Sequence, residues 1–151
     1  MIKENKLYLN KLDNDPWGQN RATQYLRRNS YITHLRENFG NKKLSNAVDL
    51  ACGSGYLSEE LSIFSKSILL CDYSNIILKS TKKVTNNKFI YKKNTLPEIN
   101  FKCTFDIIYA IEVLYYLNKE ELKIFFFNII QVMNADSYLI ITLNENSKIF
   151  Y

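Results

Sequence analysis

The sequence predicts an α/β fold, a doubly wound parallel sheet with helices on both faces. From Ser45 onward, short β-rich runs alternate with segments of helical spacing, the order that builds such a sheet. Four of the five runs are nearly continuous in apolar residues, as strands covered on both sides must be. Two of the chain's four glycines, Gly53 and Gly55, fall directly after the first run, where a strand would turn into a helix.

Taken in order, residues 17–39 read as an amphipathic helix or helix pair, with Tyr25, Ile32, Leu35 and Phe39 along one stripe. Strands are expected over 46–51, 67–72, 88–92, 105–111 and 137–143. Helices are expected over 56–66, 75–84 and 119–133. The last of these starts on Asn118, with Glu121 three residues later as a capping box.

With 151 residues, 46 % hydrophobic and 23 % charged, the chain is expected to form one domain over 1–151. Within it, 1–43 would be a basic helical cap and 44–151 the ligand-binding core. Residues 1–43 carry nine Lys/Arg against four Asp/Glu, which accounts for the whole net charge of +5. No cluster matches a groove-reading motif, so a solvated helix face is expected there and no nucleic-acid partner. The apolar runs 107–113 and 124–127 are too short to span a bilayer, and the first ten residues are too polar for a signal peptide, so a cytoplasmic protein is expected. Cys52, Cys71 and Cys103 lack both C-x-x-C spacing and companion histidines. They are read as structural, with no metal site.

A strand entering a helix through Gly-x-Gly lets backbone approach a ligand with no Cβ between them. A dinucleotide fingerprint needs a third glycine, and that position holds Ser58. The pattern present is Asp49-x-Ala51-x-Gly53-x-Gly55. Asp72 follows Gly55 by 17 residues, at the tip of the second expected strand, where a carboxylate can accept both ribose hydroxyls of a nucleoside.

The Asp49–Gly55 segment resembles motif I of the class I S-adenosylmethionine-dependent methyltransferases. Phe105–Leu117 resembles their motif IV, and its ending Glu112-Val113-Leu114-Tyr115-Tyr116-Leu117 is most similar to the nodulation protein S family. Asp15-Pro16-Trp17 with Tyr25, and Leu96-Pro97-Glu98, are similar to that family too. The resemblance runs from about residue 15 to 143. It implies a Rossmann-like fold and an S-adenosyl-L-methionine cofactor, released as S-adenosyl-L-homocysteine. The implied cofactor contacts are Asp49, Ala51, Cys52, Gly53, Gly55, Asp72, Tyr73, Asn94, Thr95 and Ile111. The sequence departs from the family in two places. Asn94-Thr95 stands where relatives have Gly-Asp before Leu-Pro, and only residues 144–151 follow the fifth strand, where relatives add an antiparallel hairpin. The expectation is a fragment, a truncation, or an edge covered by a partner, including a homodimer through the fifth strand.

Methyl transfer rests largely on positioning, so no fixed triad is demanded. Glu112 is the best-placed acid to take a proton or stabilise charge, and Tyr115 and Tyr116 are candidates to line the acceptor pocket; these three are the expected catalytic residues. His34 is expected on a helix surface or packed. Trp17, Tyr25 and Arg27 or Arg28 could close over the methionine end. No Asn/Asp-Pro-Pro-aromatic motif is present and Cys103 is not followed by proline, which disfavours base methylation. The family resemblance implies a glycan acceptor, the free amine of a deacetylated amino sugar. Two rivals remain at this point: a nicotinamide-dependent oxidoreductase on a similar fold, and a non-catalytic cofactor-binding module.

Overall fold

In the computed structural model, residues 21–86 and 88–143 are described. The chain divides into two compact units, Met1–Gly40 and Asn41–Tyr151. In the first, the described residues form a single helix, α1 (Ala22–Phe39). It ends on Gly40, whose φ of +56° suits glycine and whose N–H reaches Arg36 O at 2.8 Å. The Asp15-Pro16-Trp17 segment and Gly18 lie outside the described residues.

The second unit alternates as expected: β1 (Leu44–Leu50), α2 (Tyr56–Leu61), β2 (Ser65–Asp72), α3 (Asn75–Val84), β3 (Ile90–Lys93), β4 (Phe105–Ile111), α4 (Lys119–Ile130) and β5 (Met133–Thr142). The five strands form one sheet in the order β3-β2-β1-β4-β5, and every pairing is parallel. This is a Rossmann-like α/β sheet. After β3 the chain passes back over β2 and β1 to enter β4, so the direction of winding reverses between β1 and β4. Ligands of such sheets bind beyond the C-terminal strand ends at that reversal.

α3 and β4 occupy the expected residues, β3 runs over Ile90–Lys93 against the expected 88–92, and the boundaries around β1, β2, α4 and β5 moved for identifiable reasons. The helix expected over 56–66 stops at Leu61, passes through a 3₁₀ turn at Ser62–Phe64 and gives way to β2 at Ser65. Ser65 and Ser67 pair there with Leu44 and Asn46, so strand pairing overrides local helical spacing and lengthens β1 as well. Likewise α4 ends at Ile130, three residues early, and β5 starts at Met133, four early, because Met133 pairs with Phe105. Between Phe105 and Ile107 that ladder is irregular, and Asp136 takes φ +60°. Asp106 ties the irregularity down. Its carboxylate accepts Ser45 N at 2.9 Å, Asn46 N at 3.0 Å and Asn134 Nδ2 at 2.7 Å, and the Asn46 amide chiefly holds its pKa below the usual carboxylate range.

One face of the central strands supplies Val48, Leu50, Ile108 and Ala110 to a core that α4 closes with Phe125 and Ile129. Asn118 caps α4 as expected. Its side chain accepts from the Glu120 and Glu121 amides at 3.0 Å, and Glu121 returns a bond to the Asn118 N–H at 2.9 Å.

Candidate functional site

Beyond Leu50 the chain enters a bend in which Ala51, Gly53 and Gly55 have φ of +67°, +54° and +83°. Three left-handed residues in five turn β1 into α2. Cys52 N–H bonds Cys71 O at 2.8 Å, and Gly55 N–H returns to Cys52 O at 3.0 Å. Ala51 bears the left-handed conformation without glycine's freedom, a strained position of the kind that gathers at functional sites.

The glycine at 55 has a different reason from the one its motif suggests. A Cβ placed there would lie 2.6 Å from Thr81 Cγ2 and 3.1 Å from Thr85 Cγ2. Its bareness therefore lets α3 pack against the bend, the role a third glycine has in dinucleotide sites. Thr81 completes the contact: its hydroxyl lies 2.5 Å from Gly53 O and 2.9 Å from Ile77 O. Thr85 is fully buried beside it, its hydroxyl 2.8 Å from Thr81 O. Sequence reasoning missed both threonines. The available signal was a polar pair four residues apart on the stripe of α3 that also carries Ile77 and Leu78.

Ser58, at the missing third glycine, is fully buried, and its hydroxyl donates to Asp49 Oδ2 at 2.5 Å. Burial pushes the Asp49 carboxyl up to about 7, with the Ser58 bond opposing and Asp72 adding repulsion. Asp72 ends β2, 4 % exposed. Its Oδ2 accepts the Gly53 N–H at 3.3 Å and its Oδ1 accepts the Ser74 N–H at 3.0 Å. Burial again dominates and pushes its pKa up to about 6, against the lowering effect of those amides. Each Asp72 oxygen can accept a second bond. A vicinal diol offers two donors, so the residues present fit a ribose. Tyr73, next in the chain, is half-buried.

The first departure from the family pattern has a definite geometry. Asn94 N–H bonds Asp72 O at 3.0 Å, which continues the ladder past β3, and Asn94 Nδ2 donates to Glu98 O at 2.8 Å. The side-chain nitrogen is committed to its own loop, which leaves Oδ1 as the acceptor at this tip. Thr95 is exposed, and its carbonyl accepts from Glu98 N at 3.1 Å.

At the tip of β4, Ile111 is buried and Glu112 takes φ +55°. The Glu112 N–H reaches Thr142 O at 3.2 Å and Thr142 Oγ1 at 3.1 Å, and Thr142 Oγ1 lies 3.4 Å from Glu112 Oε1. The end of β5 thus holds this left-handed acid in place. Tyr115 and Tyr116 follow in a 3₁₀ turn, ring centroids 4.5 Å apart, Tyr116 exposed and Tyr115 half-buried. The structure therefore gathers the candidates in two groups, one around the Gly53–Asp72 contact and one around Glu112.

Other candidates stand apart. His34 is exposed on α1, within 3.4 Å of Asn38 Nδ2. In the same unit the Arg28 guanidinium lies 5.9 Å from the Tyr25 ring centroid, and Arg27 Nε donates to Tyr31 OH at 2.9 Å. Cys52 and Cys71 are buried, their thiols pushed up chiefly by burial, Cys71 to about 12, so both are inert at neutral pH. Cys103 is exposed instead. Among the described residues no three His, Cys, Asp or Glu side chains gather as metal ligands.

A family model described as nodulation protein S (NodS) matches residues 3–148. The chain belongs to this family. Nodulation protein S of Azorhizobium caulinodans is 28 % identical over 135 residues, which cover 88 % of this chain and 64 % of that protein. The mitochondrial ubiquinone biosynthesis O-methyltransferase of Schizosaccharomyces pombe is 26 % identical over 113 residues, 71 % of this chain and 39 % of that one. The chain thus spans less than two thirds of either relative's length. Among solved structures, the N-methyltransferase NodS of Bradyrhizobium japonicum in complex with S-adenosyl-L-homocysteine superimposes with a TM-score of 0.77 at 18 % identity, over 90 % of this chain and 70 % of that one. At that identity the likeness speaks to the fold.

Proposed function

We propose that the chain binds S-adenosyl-L-methionine between the Ala51–Gly55 bend and Asp72, and transfers its methyl group to an amine or hydroxyl of a small acceptor, a sugar or amino sugar. The observation that carries this is the Gly53–Asp72 contact: a buried carboxylate at the strand tip, tied to the glycine bend and still able to accept a diol. Membership of the NodS family supports the cofactor, and the Azorhizobium and Schizosaccharomyces relatives support the reaction class.

When bound, the cofactor supplies an electrophilic methyl group on a sulfonium. Asp72 accepts the ribose hydroxyls, and Asn94 Oδ1 accepts from the adenine amine. Asp49 braces the start of α2 through Ser58. Glu112, fixed by Thr142, takes the proton of the attacking amine or hydroxyl, while Tyr115 and Tyr116 line the acceptor side. The acceptor is a small molecule or glycan, with no role for nucleic acid. A cytoplasmic location fits the free thiols of Cys52, Cys71 and Cys103. Among the described residues no helix is long and apolar enough to cross a membrane.

Calorimetric titration with S-adenosyl-L-homocysteine and with NAD tests the cofactor, and a turnover assay on amino sugars and nucleotide sugars tests the acceptor. Asp72→Asn keeps the shape of the site but replaces one acceptor oxygen by a donor, and should weaken S-adenosyl-L-homocysteine binding about 5- to 150-fold. In the parent, affinity should fall as the pH drops below about 6, because protonated Asp72 loses acceptor capacity. Binding of NAD alone, or an Asp72→Asn affinity equal to the parent's, refutes the cofactor assignment.

A further inference from the structure

α4 is apolar on two opposite sides. Phe125 and Ile129 are buried in the core, yet Phe127 is 69 % exposed, Ile130 65 % and Ile124 45 % on the outward side. Its charged residues, Lys119, Glu120, Glu121 and Lys123, all lie in the first five positions, and residues 124–130 carry none. A helix apolar all round is normally covered on all sides. We propose that the outward face of α4 is a self-association surface, on which a second copy of this chain docks with its own α4 antiparallel.

Three features choose a second copy over another occupant. Ile124 and Ile130 stand three residues on either side of Phe127, so the stripe reads the same in both directions. A twofold axis through Phe127 places Phe127 on itself and each Ile124 on Ile130 of the other copy, the self-matching that an isologous contact demands. The charges of α4 cancel, and Glu120 is already paired with Lys123 at 2.8 Å, so no like-charge repulsion opposes the approach. The stripe offers roughly 400 Å² of apolar surface per copy. That is about half of a standard interface side, which suits a weak, concentration-dependent dimer.

Sedimentation velocity from about 1 to about 200 µM tests this, a range that brackets micromolar association. The parent should move from monomer to dimer across it. Phe127→Lys should raise the dissociation constant at least about 30-fold while leaving the circular dichroism spectrum unchanged, since Phe127 is exposed. An equimolar mixture of Phe127→Lys and Phe127→Glu should recover the dimer, because the axis sets the two charges face to face. Ile90→Lys, on the opposite edge of the sheet, should dimerise like the parent. A parent that stays monomeric throughout overturns the proposal. So does a dimer that survives Phe127→Lys, as one built through the β5 edge would, or a charge-swapped mixture that does not associate.

Discussion

Replacing Gly55 by alanine adds one methyl group at a place where two independent costs arise. The φ of +83° is outside the range that alanine adopts freely, a penalty of about 1–2 kcal/mol. The new Cβ would also lie 2.6 Å from Thr81 Cγ2, closer than real contacts allow, and overpacking of this kind costs about 1–3 kcal/mol. Thr81 cannot rotate away without releasing its hydroxyl from Gly53 O. Gly55→Ala should therefore lose about 2–5 kcal/mol in urea unfolding followed by far-ultraviolet circular dichroism. A second substitution separates the two costs. Thr81→Ser removes Cγ2 and keeps the hydroxyl, so in its background the overpacking cost shrinks to what remains at Thr85 Cγ2, 3.1 Å away, while the dihedral penalty stays. A double-mutant cycle should then show a coupling of up to about 3 kcal/mol, the part of the steric cost that Thr81 Cγ2 causes. A Gly55→Ala cost under about 0.5 kcal/mol, or additive effects of the two substitutions, would refute the reading that α3 packing dictates this glycine.

Two further outcomes concern stability. Asp49 has its folded-state pKa raised from 3.8 to about 7, so the native protein holds that proton more tightly than the unfolded chain does. The resulting stabilisation is complete below about pH 4 and is lost as the pH rises to about 7. Asp49→Asn should flatten the fall of Tm between those limits and melt above the parent at pH 8; an unchanged slope would show that this carboxylate is not the titrating group. Asn118→Ala removes the acceptor for two α4 amides and should cost about 1 kcal/mol in the same unfolding assay, with Asn118→Asp close to neutral.

The order of elements was legible because β1 from Ala47 to Leu50 and β4 along nearly its whole length are buried and read as apolar runs. α3 and the capping box of α4 were legible because their signals are local. The boundaries that shifted depend on partners distant in the chain. Nothing near Ser65 announces that it pairs with Leu44, or near Met133 that it pairs with Phe105. The site divides in the same way. Asp72 and the glycines were visible as a spacing, and the departure at Asn94 as a missing residue type. The bond from Ser58 to Asp49 was hidden, since sequence registers a serine there only as a lost glycine. Thr81 and Thr85, on the core-facing stripe at the end of α3, were hidden for a related reason: the Thr81 hydroxyl and the two threonine methyl groups declare themselves only once the bend they pack against is in place.

That hold has a kinetic corollary. A bend whose left-handed residues are braced from within the protein has no ordering left to do when a small molecule arrives. Arrival should then be governed by diffusion and charge, and competing nucleosides should differ chiefly in how slowly each one departs.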